Sequence, residues 1–517
     1  MLSTCMDVEA SDKRRASSAG CRLHFWLGAV WSGAVVMSFE LVGGRLLMPT
    51  FGMGIEVWAA VIATTLGALA IGYWAGGRLA DARPSASSLA WVLLLTGASL
   101  FCVRLGHHRI MACVADWPFV VGAWCSAAAI LCVPLVLLGM VQPVLARLLF
   151  RSADRTGRLV GALLAAGTIG GVVGTALTGV VLIPRVGVAW TLLCLASGTA
   201  VVAAITWLGE RRLGPAGVAV LFALASAGVA RPSEAGTTCE GAMTILEQVD
   251  GLYGHLEVVE CQGAKALLCD GIFQTALPHS ATGITRGALL RGGDYVELIP
   301  YLRPGTKTAL LIGLGGGLHE QALATYGISV HAVEIEPAVV GLATRHFGLA
   351  ADVTVEDGRA FLTHDRRQFD AIILDAFLGS SIPEHLFTRE AFAQMAGHLT
   401  SGGILAVHLV SRPQHAATRA VAGTLRTVFT NMVAVCGGRS DELQHVYLFA
   451  SQGPLDLPPE QRTELAQHGF TGRELRDIDA REAPLLVDDR PCLAWLGRDL
   501  VIEHRRQSLE RRRRLSW

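Results

Sequence analysis

The feature that most constrains this chain is the crowding of apolar residues into its first 230 positions. Stretches of about 20 residues there carry few or no charges, which is the length an α-helix needs to cross a bilayer. Charged residues make up only 17% of the whole chain, against roughly 25% in an ordinary soluble protein. The sequence therefore excludes a disordered chain or a single soluble domain, and it predicts a multi-pass α-helical membrane domain with a soluble half attached.

Charges and turn signals divide the apolar half into six or seven candidate spans, at 23–48, 56–77, 88–105, 119–146, 159–183, 187–208 and 214–230. The last is marginal, because its 18 uncharged residues would rise only about 27 Å as a helix. Lysine and arginine number 12 in the N-terminal segment and alternate loops and four in the others. The positive-inside rule therefore predicts a cytoplasmic N-terminus. Gly72 and Gly76 are four residues apart, which predicts close helix packing.

The overall composition argues against two classes of ligand. Basic and acidic residues are equal in number, 43 of each, so no charge excess points to nucleic acid. The 12 cysteines include no CxxC pair, and no cysteine and histidine cluster has zinc spacing, so we expect no metal.

The soluble half divides into two parts by its strand pattern. Short alternating runs at 243–247, 256–261 and 265–269 predict a small β-rich subdomain over 240–300. From 301 to 500 strands and helices alternate, with strands at 308–312, 329–333, 353–355, 369–374 and 403–408. This order predicts a Rossmann-like α/β domain with a mostly parallel sheet. The remaining segments are an N-terminal segment over 1–22, the membrane domain over 23–232 and a basic tail over 501–517.

Candidate ligand-binding residues fall where the predicted parallel strands end. The glycine loop that follows the first of these strands contains Gly313, Gly315, Gly316 and Gly317. Glu334 ends the second strand, where an acid can hydrogen-bond both ribose hydroxyls. After the third strand, Asp357, which Gly358 follows, is placed to accept a hydrogen bond from an adenine amino group, and Asp375 ends the fourth. A GxGxG loop is common in S-adenosylmethionine enzymes, so the pattern predicts a nucleoside site.

These segments resemble the spermidine synthase (polyamine aminopropyltransferase) family through most of 240–500. The matching segments read LLIGLGGG, VHAVEIEP, VEDGRAF, FDAIILDAF, LFTREAF and GGILAVHL. LCDGIFQ, with Gln274, is similar to the family's LDGxxQ segment, and Tyr295 begins a segment similar to its Tyr-His/Gln-Glu-Met helix. The apolar half and the DDRP element at 488–491 resemble the membrane-fused branch of this family.

The resemblance implies which residues bind and which react. It places Gln274 and the glycine loop with Glu334, Asp357 and Gly358 at the donor nucleoside, and it makes Asp375 and Tyr295 the catalytic candidates. The chain departs from the family at Gly316, where the family has Asp, and at Leu378, where its catalytic loop has a second Asp. The donor half of the site therefore looks kept, whereas the half that holds amines looks stripped of acids.

Three functions remain open from the sequence. The first is a membrane-bound transferase that moves an aminopropyl group from decarboxylated S-adenosylmethionine to an amine acceptor, with Asp375 as general base. The second is an S-adenosylmethionine-dependent methyltransferase acting on a hydrophobic or membrane-held acceptor. The third is a non-enzymatic membrane transporter or sensor that keeps a nucleoside-binding domain. The sequence leaves a homo-oligomer open, and it predicts neither a metal nor a nucleic-acid partner.

The expected location is a cell (inner) membrane, with the soluble half on the cytoplasmic side. Donor nucleosides are made in the cytosol, and six spans from a cytoplasmic start return the chain to that side. The arginine-rich tail at 505–514 would also suit an anionic cytoplasmic leaflet. Seven spans would place the soluble half outside, and a solvated helix end is the alternative reading of the tail.

Overall fold

The structure is a computed structural model of the whole chain, and it divides into two compact units, Met1–Glu234 and Ala235–Trp517. It describes residues 2–51, 55–114, 117–149, 156–228, 239–240, 243–261, 263–278, 285–291, 293–377, 379, 381–472, 474–490 and 492–515.

The first unit is helical over most of its described residues. Its helices are α1 (Leu2–Phe51), α2 (Ile55–Ala82), α3 (Ala86–Val114), α4 (Phe119–Leu149), α5 (Thr156–Leu177), α6 (Ile183–Gly209) and α7 (Leu213–Gly228), and a π-helical turn, Thr178–Leu182, joins α5 to α6.

The predicted count of six or seven spans is not confirmed. Five helical segments are long and apolar enough to cross a membrane, and the fifth, Gly157–Gly209, covers both the fifth and the sixth predicted spans. The two predicted spans run together because the helix continues through the π turn, and the local break falls at Gly187, whose φ of 80° is left-handed. α7 has 16 residues, about 24 Å of helix, which is short of a bilayer core. Residues 229–230 of the predicted seventh span lie outside the described residues.

Glycines bring the apolar helices into backbone contact, as the spacing of Gly72 and Gly76 predicts. A Cβ atom on Gly72 would lie 2.3 Å from the carbonyl oxygen of Val136, and one on Gly76 would lie 2.6 Å from the Cα of Met140. Both contacts join α2 to α4. Because no side chain fits at either position, substitution there would push the two helices apart.

The second unit begins with a five-stranded antiparallel sheet in the order β1-β2-β3-β4-β5. Its strands are β1 (Cys239–Glu240), β2 (Met243–Asp250), β3 (His255–Cys261), β4 (Ala264–Cys269) and β5 (Ile272–Pro278). All three strands predicted for this region are present. β5 returns the chain beside the larger sheet, so that its side chains reach the ends of the parallel strands described next.

The larger sheet has eight strands in the order β13-β11-β12-β10-β9-β6-β7-β8. They are β6 (Thr308–Ile312), β7 (Ser329–Glu334), β8 (Asp352–Val355), β9 (Phe369–Leu374), β10 (Leu399–Ser411), β11 (Asn431–Val435), β12 (Gln444–Ser451) and β13 (Leu475–Arg476). The five strands from β10 to β8 are parallel, and β12, β11 and β13 extend the sheet antiparallel to its edge. The predicted mostly parallel Rossmann-like sheet is thus confirmed.

Helices cover both faces of this sheet, which is why β6, β9 and β10 are apolar on both sides. The helices of this unit are α8 (Ala288–Arg291), α9 (Ile299–Leu302), α10 (Leu318–Ala324), α11 (Pro337–Phe347), α12 (Gly358–His364), α13 (Arg389–Gly397), α14 (Ala416–Arg426), α15 (Pro459–Gln467), α16 (Leu493–Leu496) and α17 (Arg498–Leu515). Two buried clusters form the core, one on each face. Polar side chains gather at the carboxyl edge of the parallel strands.

Candidate functional site

A cavity of about 980 Å³ lies at the carboxyl edge of the parallel strands. Parallel α/β sheets bind their ligands at this edge. Its walls include the ends of β6, β7 and β9 and the strand β5 of the smaller sheet. Gln274 on β5 lines the cavity, and its side-chain amide donates to the carbonyl oxygen of Gly379 at 3.0 Å. This hydrogen bond ties the smaller sheet to the loop that follows β9.

Glu334 ends β7 and presents a fixed carboxylate to the cavity. One carboxylate oxygen accepts the backbone N–H of Leu314 at 2.9 Å, and the other accepts that of Glu336 at 2.9 Å. Burial raises the pKa of Glu334 above its usual value, against the lowering effect of these backbone N–H groups. Each oxygen keeps a further lone pair. The carboxylate can therefore accept two hydroxyl groups, as a ribose requires.

The glycine loop approaches the end of β9 so closely that its first residue has to be glycine. Gly313 has a φ of 93°, and a Cβ atom there would lie 2.1 Å from the carbonyl oxygen of Asp375. Gly315 has a φ of 53° and lines the cavity. Gly317 has a φ of 79° and precedes the first residue of α10. The glycines thereby keep the loop backbone close to the cavity with no side chain at their own positions.

Gly316, where the resembled family has Asp, has no room for a side chain. A Cβ atom there would lie 2.5 Å from the Cγ2 of Thr275, whose hydroxyl accepts the backbone N–H of Gly316 at 2.8 Å. Thr275 thus occupies the space that an acid at this position would need. The second departure, Leu378, lies outside the described residues.

Asp357 lines the cavity, but most of its hydrogen-bonding capacity is already used. One carboxylate oxygen accepts the backbone N–H groups of Arg359 and Ala360, which caps α12. The other lies 2.9 Å from the Nε2 of His385. These contacts outweigh burial and lower the pKa of Asp357. Gly358 also lines the cavity, and a Cβ atom there would lie 2.6 Å from the Cγ2 of Ile312.

Asp375, at the end of β9, is held between two histidines. Its Oδ1 lies 2.5 Å from the Nδ1 of His408, and its Oδ2 lies 3.3 Å from the Nδ1 of His319. His408 is on β10, next to Asp375 because β9 and β10 run parallel with Leu374 opposite Val407. All three side chains line the cavity. Asp375 is therefore one member of a carboxylate–imidazole cluster rather than an isolated base.

Asp294 and Tyr447 extend this cluster on the far side of His319. The Nε2 of His319 lies 2.7 Å from one oxygen of Asp294, and the hydroxyl of Tyr447 donates to the other at 2.6 Å. Burial opposes the protonation of His319, but the carboxylates of Asp294 and Asp375 outweigh it and raise its pKa to about 9. His319 is therefore an imidazolium near neutral pH, and it balances the charge of the acids.

His445 adds a further imidazole at the cavity surface. It begins β12, and its Nδ1 lies 2.8 Å from the Nε2 of His408, with the two rings stacked 5.0 Å apart. Tyr447 stacks on His408 as well, at 4.6 Å. His445 lines the cavity, and its ring is exposed there. Burial among its neighbours, followed by the charge of His408, lowers the pKa of His445 to about 4.

Tyr295, the second catalytic candidate from the sequence, is placed elsewhere. It is 4% exposed and packs in the core against Tyr447 and Phe470, and it is not among the described residues that line the cavity. Its neighbour Asp294 lines the cavity instead, and a short 3-10 helix, Val296–Leu298, begins directly after Tyr295. The geometry thus assigns Tyr295 to packing beneath the site.

The basic tail forms α17, and several of its arginines face this unit. Arg505 is 3% exposed, with its guanidinium 3.4 Å from the carbonyl oxygen of Asp270. Arg512 forms an ion pair with the buried Glu257, with an N–O distance of 2.7 Å. Arg511 lines the cavity and lies over the ring of Phe273. Arg505 and Arg512 thus have partners within the domain, and the expectation that the arginine-rich tail meets a lipid leaflet stays a prediction.

The histidines and the tail helix are the site residues that the sequence reasoning missed. His408 lies inside the segment GGILAVHL and His319 directly follows the glycine loop, so both stand close to recognised motifs. His445 gave no such signal, because it precedes an antiparallel strand. Among the described residues, no group of three or more His, Cys, Asp or Glu side chains is arranged to hold a metal ion.

No family model matches this chain. A polyamine aminopropyltransferase of Vibrio vulnificus is 37% identical over 33% of this chain and 61% of its own length. A probable polyamine aminopropyl transferase of Bifidobacterium longum is 28% identical over 35% of this chain and 42% of its own length. An N-terminal histidine N-methyltransferase of Emericella nidulans is 34% identical over 24% of this chain and 23% of its own length. The chain thus spans less than two thirds of each relative, and all three relatives are named as transferases.

Solved structures were matched at lower identity. A probable spermidine synthase of Corynebacterium glutamicum is 14% identical, with a TM-score of 0.41, over 47% of this chain and 96% of that protein. The spermidine synthase of Thermotoga maritima is 17% identical, with a TM-score of 0.35, over 47% of this chain and 81% of that protein. Human methyltransferase-like protein 13 is 23% identical, with a TM-score of 0.28, over 37% of this chain and 92% of that protein.

Proposed function

We propose that this protein is a membrane-bound transferase that moves an alkyl group from a sulfonium nucleoside to an amine nitrogen. The observation that carries the proposal is that one cavity holds both a nucleoside-type carboxylate, Glu334, and a carboxylate–imidazole pair, Asp375 with His408. The relatives support the same chemistry, because their names describe transfer to polyamines and to a histidine nitrogen.

The donor would be bound by its nucleoside. Glu334 would accept the ribose hydroxyls, Asp357 and the neighbouring Gly358 would line the adenine end, and the glycine loop would let the donor approach the backbone. The donor itself, S-adenosylmethionine or its decarboxylated form, supplies the electrophilic carbon beside the sulfonium. Binding both substrates in one cavity brings nitrogen and carbon together, which contributes much of the rate enhancement in bimolecular reactions.

The reaction is a displacement in which the C–N bond forms as the C–S bond breaks. The electron pair of the C–S bond stays on sulfur and gives a neutral thioether. The amine must first lose a proton, because an ammonium has no lone pair with which to attack. Asp375 and its histidine partners lie at the cavity where that proton can be taken up.

Aminopropyl transfer is the first candidate reaction, because the two relatives with the largest shares of their own length covered are named as aminopropyltransferases. Methyl transfer is the second, and one feature favours it. Thr275 fills the space beside Gly316 where the resembled family holds the aminopropyl ammonium with an Asp, so a donor amine would find no carboxylate there. The acceptor would be a small amine or an amine on a hydrophobic molecule.

Product analysis tests the proposal and separates the two reactions. The full chain in detergent is incubated with each donor and with 1,4-diaminobutane or a long-chain alkylamine, and mass spectrometry identifies which group has moved. Asp375→Asn should lower turnover by at least about 10²-fold while the affinity for methylthioadenosine stays nearly unchanged. Asp441→Asn, at an exposed acid paired with Arg439, is the matched control. Donor binding with no product from any amine would contradict the enzyme and favour a non-enzymatic nucleoside-binding protein.

We also propose that the soluble unit lies in the cytoplasm and that the apolar helices anchor the chain in the cell membrane. The supporting observations are the five helices long and apolar enough to cross a membrane and the cytosolic supply of the donor. A C-terminal reporter tests the side. Green fluorescence without alkaline phosphatase activity is the expected result, and the reverse pattern would refute it.

A further inference from the structure

The histidines at the cavity form a continuous hydrogen-bonded path that ends on Asp375. His445, His408 and Asp375 all line the cavity, and contacts of 2.8 Å and 2.5 Å join successive members of the path. No other side chain interrupts the path. The path runs from the exposed imidazole of His445 through the buried imidazole of His408 to the carboxylate of Asp375.

We propose that His445, and not Asp375, takes the proton from the acceptor amine, and that His408 and Asp375 form a relay that stabilises the positive charge. This proposal rests on the proposed transfer to an amine nitrogen and names the catalytic base of that reaction. His445 is the residue that would contact the substrate. His408 and Asp375 act through it and are positioning residues.

The neutral relay has one consistent arrangement of protons. His408 donates from Nδ1 to Asp375, which leaves its Nε2 as an acceptor for a proton on the Nδ1 of His445. The Nε2 of His445 then carries a lone pair and has no hydrogen-bond partner among the described side chains. An imidazole in this state is ready to accept a proton from the cavity.

The proton balance closes over one turnover. An ammonium R–NH₃⁺ gives a proton to the Nε2 of His445 and becomes R–NH₂. The Nδ1 proton of His445 moves to the Nε2 of His408, so the positive charge rests on His408 beside the Asp375 carboxylate. The free amine then displaces the thioether, and the product leaves as a secondary ammonium. The extra proton returns to solvent through the exposed ring of His445.

The charges around the path explain why the relay is needed. The two imidazoles hold one positive charge between them, because burial, followed by a charge on His408, lowers the pKa of His445 to about 4. The charged groups that act on it are Asp294, Asp375, His408 and His504. Moving the charge from His445 to His408 brings it to the 2.5 Å contact with the carboxylate. An ion pair at that distance in a poorly solvated site is strongly favourable.

His319, the other histidine in contact with Asp375, is not an alternative destination for the proton. Asp375 contacts His319 with its second oxygen, but His319 has a pKa of about 9 and already carries its proton at neutral pH. Tyr447, on the same strand as His445, stacks on the ring of His408. Its hydroxyl is turned to Asp294. The proton accepted at His445 therefore has His408 as its destination.

The test compares two acceptors that differ in basicity. At pH 7 the amines of 1,4-diaminobutane are protonated, whereas O-methylhydroxylamine is neutral and needs no base before it attacks. His445→Gln in the full chain should lower kcat by at least about 10²-fold with the first acceptor and by less than about 5-fold with the second. The loss of kcat with diaminobutane, relative to the wild type, should become smaller as the pH rises towards about 10, where the free amine forms in solution. His408→Gln should show the same two patterns, because its amide can hydrogen-bond but cannot carry the proton.

Controls separate the relay from folding and from the proposed function. His346→Gln removes a histidine paired with Glu247 away from the cavity and should leave both rates unchanged. Methylthioadenosine affinity, measured by calorimetry, should be the same in all variants. Wild-type transfer that His445→Gln leaves intact, or a loss equal for both acceptors and independent of pH, would overturn the relay alone. A wild-type chain that binds donor and transfers nothing to either amine would overturn the proposed function, and the relay with it.

Discussion

The assignment of Glu334 to the donor ribose can be tested by replacing its carboxylate with an amide. In Glu334→Gln the remaining carbonyl oxygen can accept only one of the two backbone N–H groups that the carboxylate accepts, from Leu314 and Glu336. The new NH₂ group faces the other N–H as a second donor. A ribose hydroxyl loses its charged acceptor at the same position. The substitution should therefore change both binding and stability, and the two effects can be measured separately.

The magnitudes follow from these contacts. Losing a charge-assisted hydrogen bond to a ribose hydroxyl costs about 1.5–3 kcal/mol, which weakens nucleoside binding about 10- to 150-fold. Leaving one buried N–H without an acceptor lowers the free energy of unfolding by about 1–3 kcal/mol. Burial raises the pKa of Glu334, and ribose hydroxyls donate to its ionised form. Wild-type affinity should therefore fall on acidification, beginning above the usual pKa of a glutamate, and the variant should lack this dependence.

A cycle that combines the Glu334→Gln variant with altered ligands decides whether the ribose is the partner of Glu334. Calorimetry of the full chain is carried out with methylthioadenosine and with its 2′-deoxy and 3′-deoxy analogues. Wild type should lose affinity for at least one analogue, and Glu334→Gln should bind that analogue and the parent nearly equally. Glu320→Gln, at a buried acid outside the described cavity wall, is the control. If Glu334→Gln weakens the parent and both analogues by the same factor, the ribose assignment is wrong and Glu334 only shapes the glycine loop.

Two further predictions concern packing and the tail helix. Gly316→Asp should lower the free energy of unfolding by about 1–3 kcal/mol through overpacking, and Thr275→Gly in the same chain should recover part of it. Urea unfolding followed by tryptophan fluorescence measures both, and equal stability of single and double variants would contradict the clash. Arg512→Gln should cost about 3 kcal/mol because it leaves the buried carboxylate of Glu257 short of a cation. Arg506→Gln, at an exposed pair, should cost less than about 0.5 kcal/mol, and a similar loss in both would refute the buried ion pair.

Much of the fold could be predicted from the sequence because its signals are local. Apolar length gave the helices of the first unit, and period-two alternation gave eight of the strands. The sequence did not predict β1 and β5 of the smaller sheet, and it did not predict β11, β12 and β13, which extend the larger sheet antiparallel and interrupt the strand–helix alternation. The boundary between the predicted fifth and sixth spans lies inside one apolar stretch, where a π turn is followed by a break at Gly187. No residue pattern at 178–187 distinguishes that geometry from a loop.

The candidate site divides in the same way. Glu334, Asp357 and Asp375 could be predicted because each follows a parallel strand, and topology brings such residues to one edge. His445 could not, since it reaches that edge from the start of an antiparallel strand, and its partner His408 is 37 residues away in the chain. Tyr295 was selected by resemblance, and the structure puts its neighbour at the cavity in its place.

The sequence alone suggested that the amine-binding half of the site lacks the acids of the resembled family, and the structure changes that interpretation. Two carboxylates, Asp294 and Asp375, face the cavity, and both contact the protonated His319. Part of their negative charge is therefore balanced within the protein before any acceptor binds. A site of this kind attracts an ammonium less strongly than free carboxylates do, yet it needs a group that can remove the proton. The histidines thus weaken the attraction of the site for a cationic acceptor and provide groups that can remove its proton. Such a site suits an acceptor that carries few charges.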